Sequence, residues 1–388
     1  MRNILLSTLR SWARHTRLGA LPTRLSDLCV ALKPSLARRH APPGASRGAI
    51  MPLVIEDPRV AGALDQIPSE TTKAERRFLY HFFRGFWSGR KDVLEIGPFL
   101  GGTTRAIAMG MAENRSRAPG VRLRTYDRFR HYGAGQYLMD FLAPLFAKGI
   151  LDEADRRAIA ETSDFEAVFR RLHRDQPYAE LIDCVNGALP DLPEDVGAID
   201  HPFAVAPGAA VDAVFVDGCK SWFGTRFFME TVLPHAEPGA WFLFQDYGQH
   251  TCFWLPCFLD TFADAFTLRL YRDATYAFQL ERPLRADELA ARFPARPDEW
   301  TERQFETLFA RLLQQAGTRD DHRARIVYTV QWAAAMAYVG NKERARRILL
   351  DLQRAPWSEG SDALIRTALK TPTYRPSPTG SQPIYLDD

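Results

Sequence analysis

Four short stretches of the chain hold residue types at spacings that can do chemistry. The first, E-I-G-P-F-L-G-G at 95–102, directly follows the apolar run D-V-L, so a buried strand ends in a glycine turn. A dinucleotide site needs G-x-G-x-x-G there, because the second glycine lets a pyrophosphate approach the backbone. Phe99 stands at that second position, and what remains is acid-x-Gly-x-x-x-Gly, carried by Glu95, Gly97 and Gly101. Such a turn suits a ligand without a pyrophosphate but with an amine or cation near Glu95. Asp127, thirty residues after Gly97 at the end of the next strand pattern, can accept both hydroxyls of a ribose. Asn186-Gly187-Ala188 closes a third strand. Asp217 closes a fourth, with Lys220 three residues on, and Gln245-Asp246 closes a fifth.

The elements that must position these groups are legible from periodicity. Thr72 and Glu75 form a capping box ahead of Phe78, Leu79, Phe82 and Phe83, which predicts a helix. Strands are predicted at 92–98, 121–127, 181–185, 211–217 and 240–246, with helices between them. Thr267–Tyr271 and Thr275–Leu280 read as a hairpin. Alternating strands and helices imply a doubly wound, mostly parallel, Rossmann-like α/β sheet of seven strands, with the antiparallel hairpin at one edge. Ligands of such sheets bind at the carboxyl ends of the strands, where strand order reverses. Residues 128–178 read as a helical insertion. Beyond residue 284 only helices are signalled, and Thr329–Leu352 has the small-and-aromatic pattern of one tetratricopeptide-like pair. A single pair cannot build a solenoid, so this part reads as an all-α appendage.

Of 388 residues, 46% are hydrophobic and 25% charged, the composition of a folded chain. No apolar run reaches membrane-spanning length, so no membrane span is expected. The first fifty residues carry nine Lys/Arg and a single acid, Asp27, whereas the other 338 carry 41 basic and 46 acidic groups. The folded part is therefore mildly acidic and lacks the basic footprint of a nucleic-acid binder. Residues 1–50 read as a targeting-like segment, a surface-binding tail, or upstream sequence with Met51 the start. The domain organisation that follows is 1–50 outside the core, 51–283 the sheet domain, 284–370 the helical appendage, and 371–388 a disordered tail. Five cysteines without zinc-ligand spacing predict reduced thiols and a cytoplasmic location, with organelle import if residues 1–50 target the chain. A homo-oligomer stays open.

Taken together, the glycine turn, Asp127 and the segments V-N-G-A-L-P-D-L-P, F-V-D-G-C-K-S-W and F-Q-D-Y-G resemble class I S-adenosylmethionine-dependent methyltransferases over about residues 69–283. They are most similar to small-molecule O-methyltransferases, including the macrocin and aminocoumarin sugar group. The resemblance implies that Glu95, Gly97 and Gly101 wrap the methionine part of S-adenosylmethionine. It further implies that Asp127 holds the ribose and that Asn186, Gly187 and Ala188 flank the adenine, with Asp217 also against the cofactor.

Metal-dependent members of the group hold a divalent ion on a carboxylate after strand four and an acidic pair after strand five. Asp217, Gln245 and Asp246 match those positions, which implies an Mg2+ site weakened by one amide. The group's sugar enzymes place their catalytic Asp where Cys219 stands. Catechol-type enzymes instead use a lysine three residues after the first metal ligand, which puts Lys220 in the role of base beside Asp217. His250 and the aromatic cluster Phe244, Tyr247, Phe253, Trp254 and Phe258 could face an acceptor or simply form core. The function implied is S-adenosylmethionine-dependent methylation of an oxygen on a small-molecule acceptor. The alternative is an inactive cofactor-binding fold that works as an interaction module through its helical appendage.

Overall fold

Apolar runs bounded by glycine turns become the centre of one sheet. In the computed structural model, which describes residues 49–50, 58–130, 135–162, 164–218, 220–377 and 381–387, its strands are β1 (Ala49–Ile50), β2 (Asp92–Ile96), β3 (Leu123–Asp127), β4 (Ile182–Asn186), β5 (Val211–Val216), β6 (Ala236–Phe244), β7 (Phe266–Arg272) and β8 (Thr275–Leu280). Their order is β1-β7-β8-β6-β5-β2-β3-β4. The pairs β2–β3, β3–β4, β2–β5 and β5–β6 are parallel, and β8 runs antiparallel to both β6 and β7. All seven expected strands are present. An eighth, only two residues long, pairs Ala49 and Ile50 with Leu270 and Tyr271 at the β7 edge, inside the segment expected to lie outside the core.

The chain moves outward from β2 to β3 and β4, then returns to β5 on the other side of β2. The switch point therefore lies between β2 and β5, where a crevice opens at their carboxyl ends. Helices α1 (Pro58–Leu64), α2 (Lys73–Gly85) and α3 (Gly102–Glu113) precede or follow β2. Phe78, Leu79, Phe82 and Phe83 of α2 and Ile107 and Met111 of α3 form one core with Val93, Phe215 and Leu243 of the sheet. The Thr72 capping box starts α2 as expected. Its Glu75 carboxylate does more: it also accepts from the Ala274 N–H and the Thr275 hydroxyl, fixing the β7–β8 turn to the head of α2.

The insertion holds three helices: α4 (Gly135–Ala147), α5 (Glu153–Thr162) and α6 (Glu166–Arg174). Their Leu138, Leu142, Leu145, Ile159, Phe165 and Phe169 form a second cluster with Leu100 and Phe129, so the insertion packs on the glycine turn. The middle helix escapes a periodicity reading because Ile159 alone anchors it. Helices α7 (Trp222–Val232), α8 (Trp254–Thr261) and α9 (Ala286–Arg292) complete this unit.

The sheet unit extends to Thr301, past the expected boundary at 283. The reason is aromatic: Trp222 stacks on Phe293 with centroids 4.0 Å apart and meets Trp300 edge-on, and its indole N–H donates to Pro294 O. A second unit contains α10 (Glu302–Thr318), α11 (His322–Tyr338), α12 (Lys342–Arg354) and α13 (Asp362–Lys370). Ala333, Ala334, Ala335 and Ala337 of α11 are buried, and Asn341 caps α12 after the turn at Gly340. Where a disordered tail was expected, β9 (Thr373–Arg375) pairs antiparallel with β10 (Gln382–Ile384), with Thr373 fully buried. No helix among the described residues is long and apolar enough to cross a membrane.

Candidate functional site

At the end of β2, Gly97 adopts φ +79°, and a Cβ there would lie 3.0 Å from the Asp217 carbonyl carbon. Glycine is thus demanded both by the left-handed backbone and by the close crossing to the end of β5. Gly101 has φ +88° and lies under the buried ring of His173, whose Nε2 would be 1.9 Å from an added Cβ. His173 went unnoticed in the sequence; only its place on the apolar face of an amphipathic helix gave any signal. Burial, aided by nearby Arg105, pushes its pKa down to about 3, so it is neutral, and its Nε2 has no hydrogen-bond partner.

Glu95 is buried and accepts from the hydroxyls of Thr103 and Thr104, both at 2.6 Å. Burial outweighs those two bonds and pushes its pKa up to about 7. Its oxygens tie the head of α3 to β2, which differs from the expected contact with an amine. The paired threonines directly after Gly-Gly were the available signal. Asp127 accepts from the Phe129 N–H at 2.9 Å and the Phe99 N–H at 3.2 Å. Burial lifts it to about 6 against those bonds. An ionised carboxylate has about four acceptor positions, so two remain for a ligand. At the end of β4, Asn186 is exposed, Gly187 N–H donates to Asp127 O, and Ala188 bonds both ways with the 201–203 strip. The structure thus brings Gly97, Asp127, Asn186 and Asp217 to one end of the sheet.

Beside them lies a compact charged group. The Lys220 ammonium donates to Asp217 Oδ1 at 2.8 Å and also to Asp246 Oδ2. The Lys220 side chain is 47% exposed, while the carboxylate side chains are only 19% and 16% exposed. With its amide turned to satisfy its neighbours, Gln245 points its nitrogen at Asp217 Oδ1 (3.0 Å) and Asp246 Oδ1 (2.5 Å). Ser221 caps α7 by accepting from Gly224 N–H, which anchors the segment after Lys220. Cys219 lies outside the described residues, as do residues 1–48 with the readings made for them.

Two expectations are corrected here. Burial alone would lower the Lys220 pKa, but Asp217 and Asp246 overcome it and hold the ammonium well above the ordinary lysine range. A group that stays protonated cannot take a proton from a hydroxyl, so Lys220 does not fit the role of base. Asp217 fits better: burial, reinforced by Asp246 and opposed by Lys220, makes its carboxylate more basic than an ordinary aspartate. The second correction concerns the metal. Lys220 presents a cation between the two carboxylates, where Mg2+ would need oxygen ligands and open positions for water. Among the described residues no group of three His, Cys, Asp or Glu side chains could hold a metal ion. The donor set does not fit Mg2+.

Phe244 at the end of β6 and the four aromatic residues that follow it, Tyr247, Phe253, Trp254 and Phe258, are all buried and belong to the core. His250 is half-buried; its pKa is lowered to about 4 by burial, and its Nδ1 lies 3.1 Å from Gln249 Oε1. Cys184, Cys252 and Cys257 are free thiols.

A doubly wound sheet with an acid-bearing glycine turn after β2 and carboxylates at the ends of β3, β5 and β6 has the architecture of a class I methyltransferase. The comparison of families agrees: residues 94–247 match the family described as a methyltransferase domain. No curated protein matches. Solved structures that are similar include cofactor-bound Rv0187 from MTB, at 17% identity and TM-score 0.33, covering 59% of this chain and 92% of that one. The O-methyltransferase NovP is 16% identical with TM-score 0.34, over 53% of this chain and 78% of its own. The O-methyltransferase from Bacillus cereus in complex with SAH is 12% identical with TM-score 0.28, over 58% and 88%.

Proposed function

We propose that the sheet unit binds S-adenosylmethionine at the carboxyl ends of β2, β3 and β4, and methylates an oxygen of a small molecule. The observation that carries this reading is the convergence of Gly97, Asp127 and Asp217 at the switch point of a domain matched over 94–247. The turn from Gly97 to Gly101 would hold the methionine part, the two remaining acceptor positions of Asp127 the ribose hydroxyls, and the Asn186–Ala188 strip the adenine. When bound, S-adenosylmethionine supplies an electrophilic methyl group on a sulfonium. Asp217, whose buried carboxylate binds a proton more tightly than an ordinary aspartate, takes the proton of the acceptor hydroxyl. Lys220 keeps Asp217 and Asp246 in place and donates toward the oxygen. Nothing among the described residues favours the non-catalytic alternative.

Calorimetric titration of the full chain with S-adenosylmethionine tests the reading. One molecule should bind per chain, and Asp127→Asn, which keeps one acceptor oxygen, should weaken binding at least tenfold with an unchanged circular dichroism spectrum. A folded sample that releases no binding heat refutes it.

A further inference from the structure

The sequence positions that resemble a divalent-ion site are occupied by the protein's own groups. An ammonium lies against both carboxylates, at 2.8 Å from Asp217 and in contact with Asp246, and the Gln245 nitrogen closes on the same oxygens. A magnesium ion demands near-octahedral oxygen ligation at close range and keeps several waters. In this place it would meet a fixed positive charge and only two carboxylates already sharing one cation. An ammonium has three N–H donors. Two are given to Asp217 and Asp246, which leaves one to offer.

We propose that Lys220 is a built-in substitute for the metal: its ammonium fills the cation position between Asp217 and Asp246 and gives its third N–H to the acceptor oxygen. This rests on the methyltransferase reading above and deepens it. Lys220 is then a positioning group that makes the site independent of divalent ions. The substrate class narrows with it. A single positive charge that hydrogen-bonds an oxygen activates it less than a directly bound Mg2+, which acts as a Lewis acid. Acceptors must therefore have hydroxyls acidic enough to give their proton to Asp217 without a metal, as phenols and enols do, in contrast to the alcohols of a sugar.

Removing the ammonium should open the position to a real cation. Mn2+ is the probe, its free concentration read by electron paramagnetic resonance in the full chain, without cofactor or acceptor. Wild type should bind no Mn2+ at submillimolar concentrations, whereas Lys220→Ala should bind one ion at least tenfold more tightly. The added Asp246→Asn substitution should abolish that gain. Equal Mn2+ affinity in wild type and Lys220→Ala, including no binding by either, overturns the proposal. If Lys220→Ala does not fold, wild type decides: stoichiometric Mn2+ binding, or a melting temperature lowered by a chelator, overturns the proposal, and the lack of both supports it. Calorimetry with S-adenosylmethionine on the same wild-type sample reports separately on the methyltransferase reading.

Discussion

Glu95→Gln isolates the energetics of the glycine turn. Glu95 has no solvent exposure, and its carboxyl is held at about 7 by burial rather than at the ordinary 4.5. Between these two values the folded chain holds a proton that the unfolded chain has released. The folded state is favoured most below pH 4.5, and this contribution is lost as pH rises through 7. Integrating the two titrations from pH 5 to pH 8 gives a loss of roughly 2.5 kcal/mol from this one group.

Glutamine is isosteric, keeps an acceptor for one threonine hydroxyl and a donor for the other, and does not titrate. Urea unfolding of both proteins at pH 5, 6, 7 and 8, followed by circular dichroism, should show the Glu95→Gln variant gaining on wild type by about 2 to 3 kcal/mol across the range. The opposing titration of His173, which is buried neutral and destabilises as pH falls below its ordinary 6.5, is common to both proteins and cancels in the difference. A difference that stays flat from pH 5 to 8 would falsify the claim that Glu95 is held protonated by burial.

Two further outcomes follow from contacts around the turn and its flank. Gly101→Ala should destabilise the sheet unit by about 1–3 kcal/mol from the clash with His173, in addition to the cost of its left-handed backbone. Adding His173→Ala should restore the clash part, so strict additivity in a double-mutant cycle would show that the two do not touch. Trp222→Ala should cost roughly 3–5 kcal/mol and speed limited proteolysis within 286–301, because Phe293 and Trp300 lose the ring they pack on. An unchanged cleavage pattern there would place the domain boundary back near residue 283.

The strands and the capping box at Thr72 were legible because each is a local pattern: an apolar run, a period, a polar residue at a fixed offset. The carboxyl-end residues were legible for the same reason, since each closes its strand. What sequence could not supply was the state of those side chains. Glu95 reads as a ligand group until Thr103 and Thr104 are seen to take both of its oxygens. Lys220 reads as a base because a lysine stands at the right offset, yet its protonation depends on Asp246, which lies 26 residues away and reaches it only through sheet pairing. His173 and the ring stack at Trp222 were missed because both are long-range contacts made by residues with no pattern of their own. The tail after residue 371, rich in proline, reads as disordered, and its three-residue strands are too short to show a period.

The lashing of Glu75 to the hairpin turn bears on how this chain comes to be folded. Thr275 follows Glu75 by 200 positions. At a ribosomal pace of about 5–20 residues per second, Glu75 waits roughly 10 to 40 s for its partner to be synthesised. Until then α2 has its cap but no sheet edge to meet, and the ring-rich face of Phe78, Leu79, Phe82 and Phe83 has an incomplete surface to cover it. Parallel pairings such as β2–β5 are also non-local, and such contacts form slowly. The nascent chain thus carries an aromatic helix through about half of its synthesis without a finished core, which leaves that face open to a chaperone.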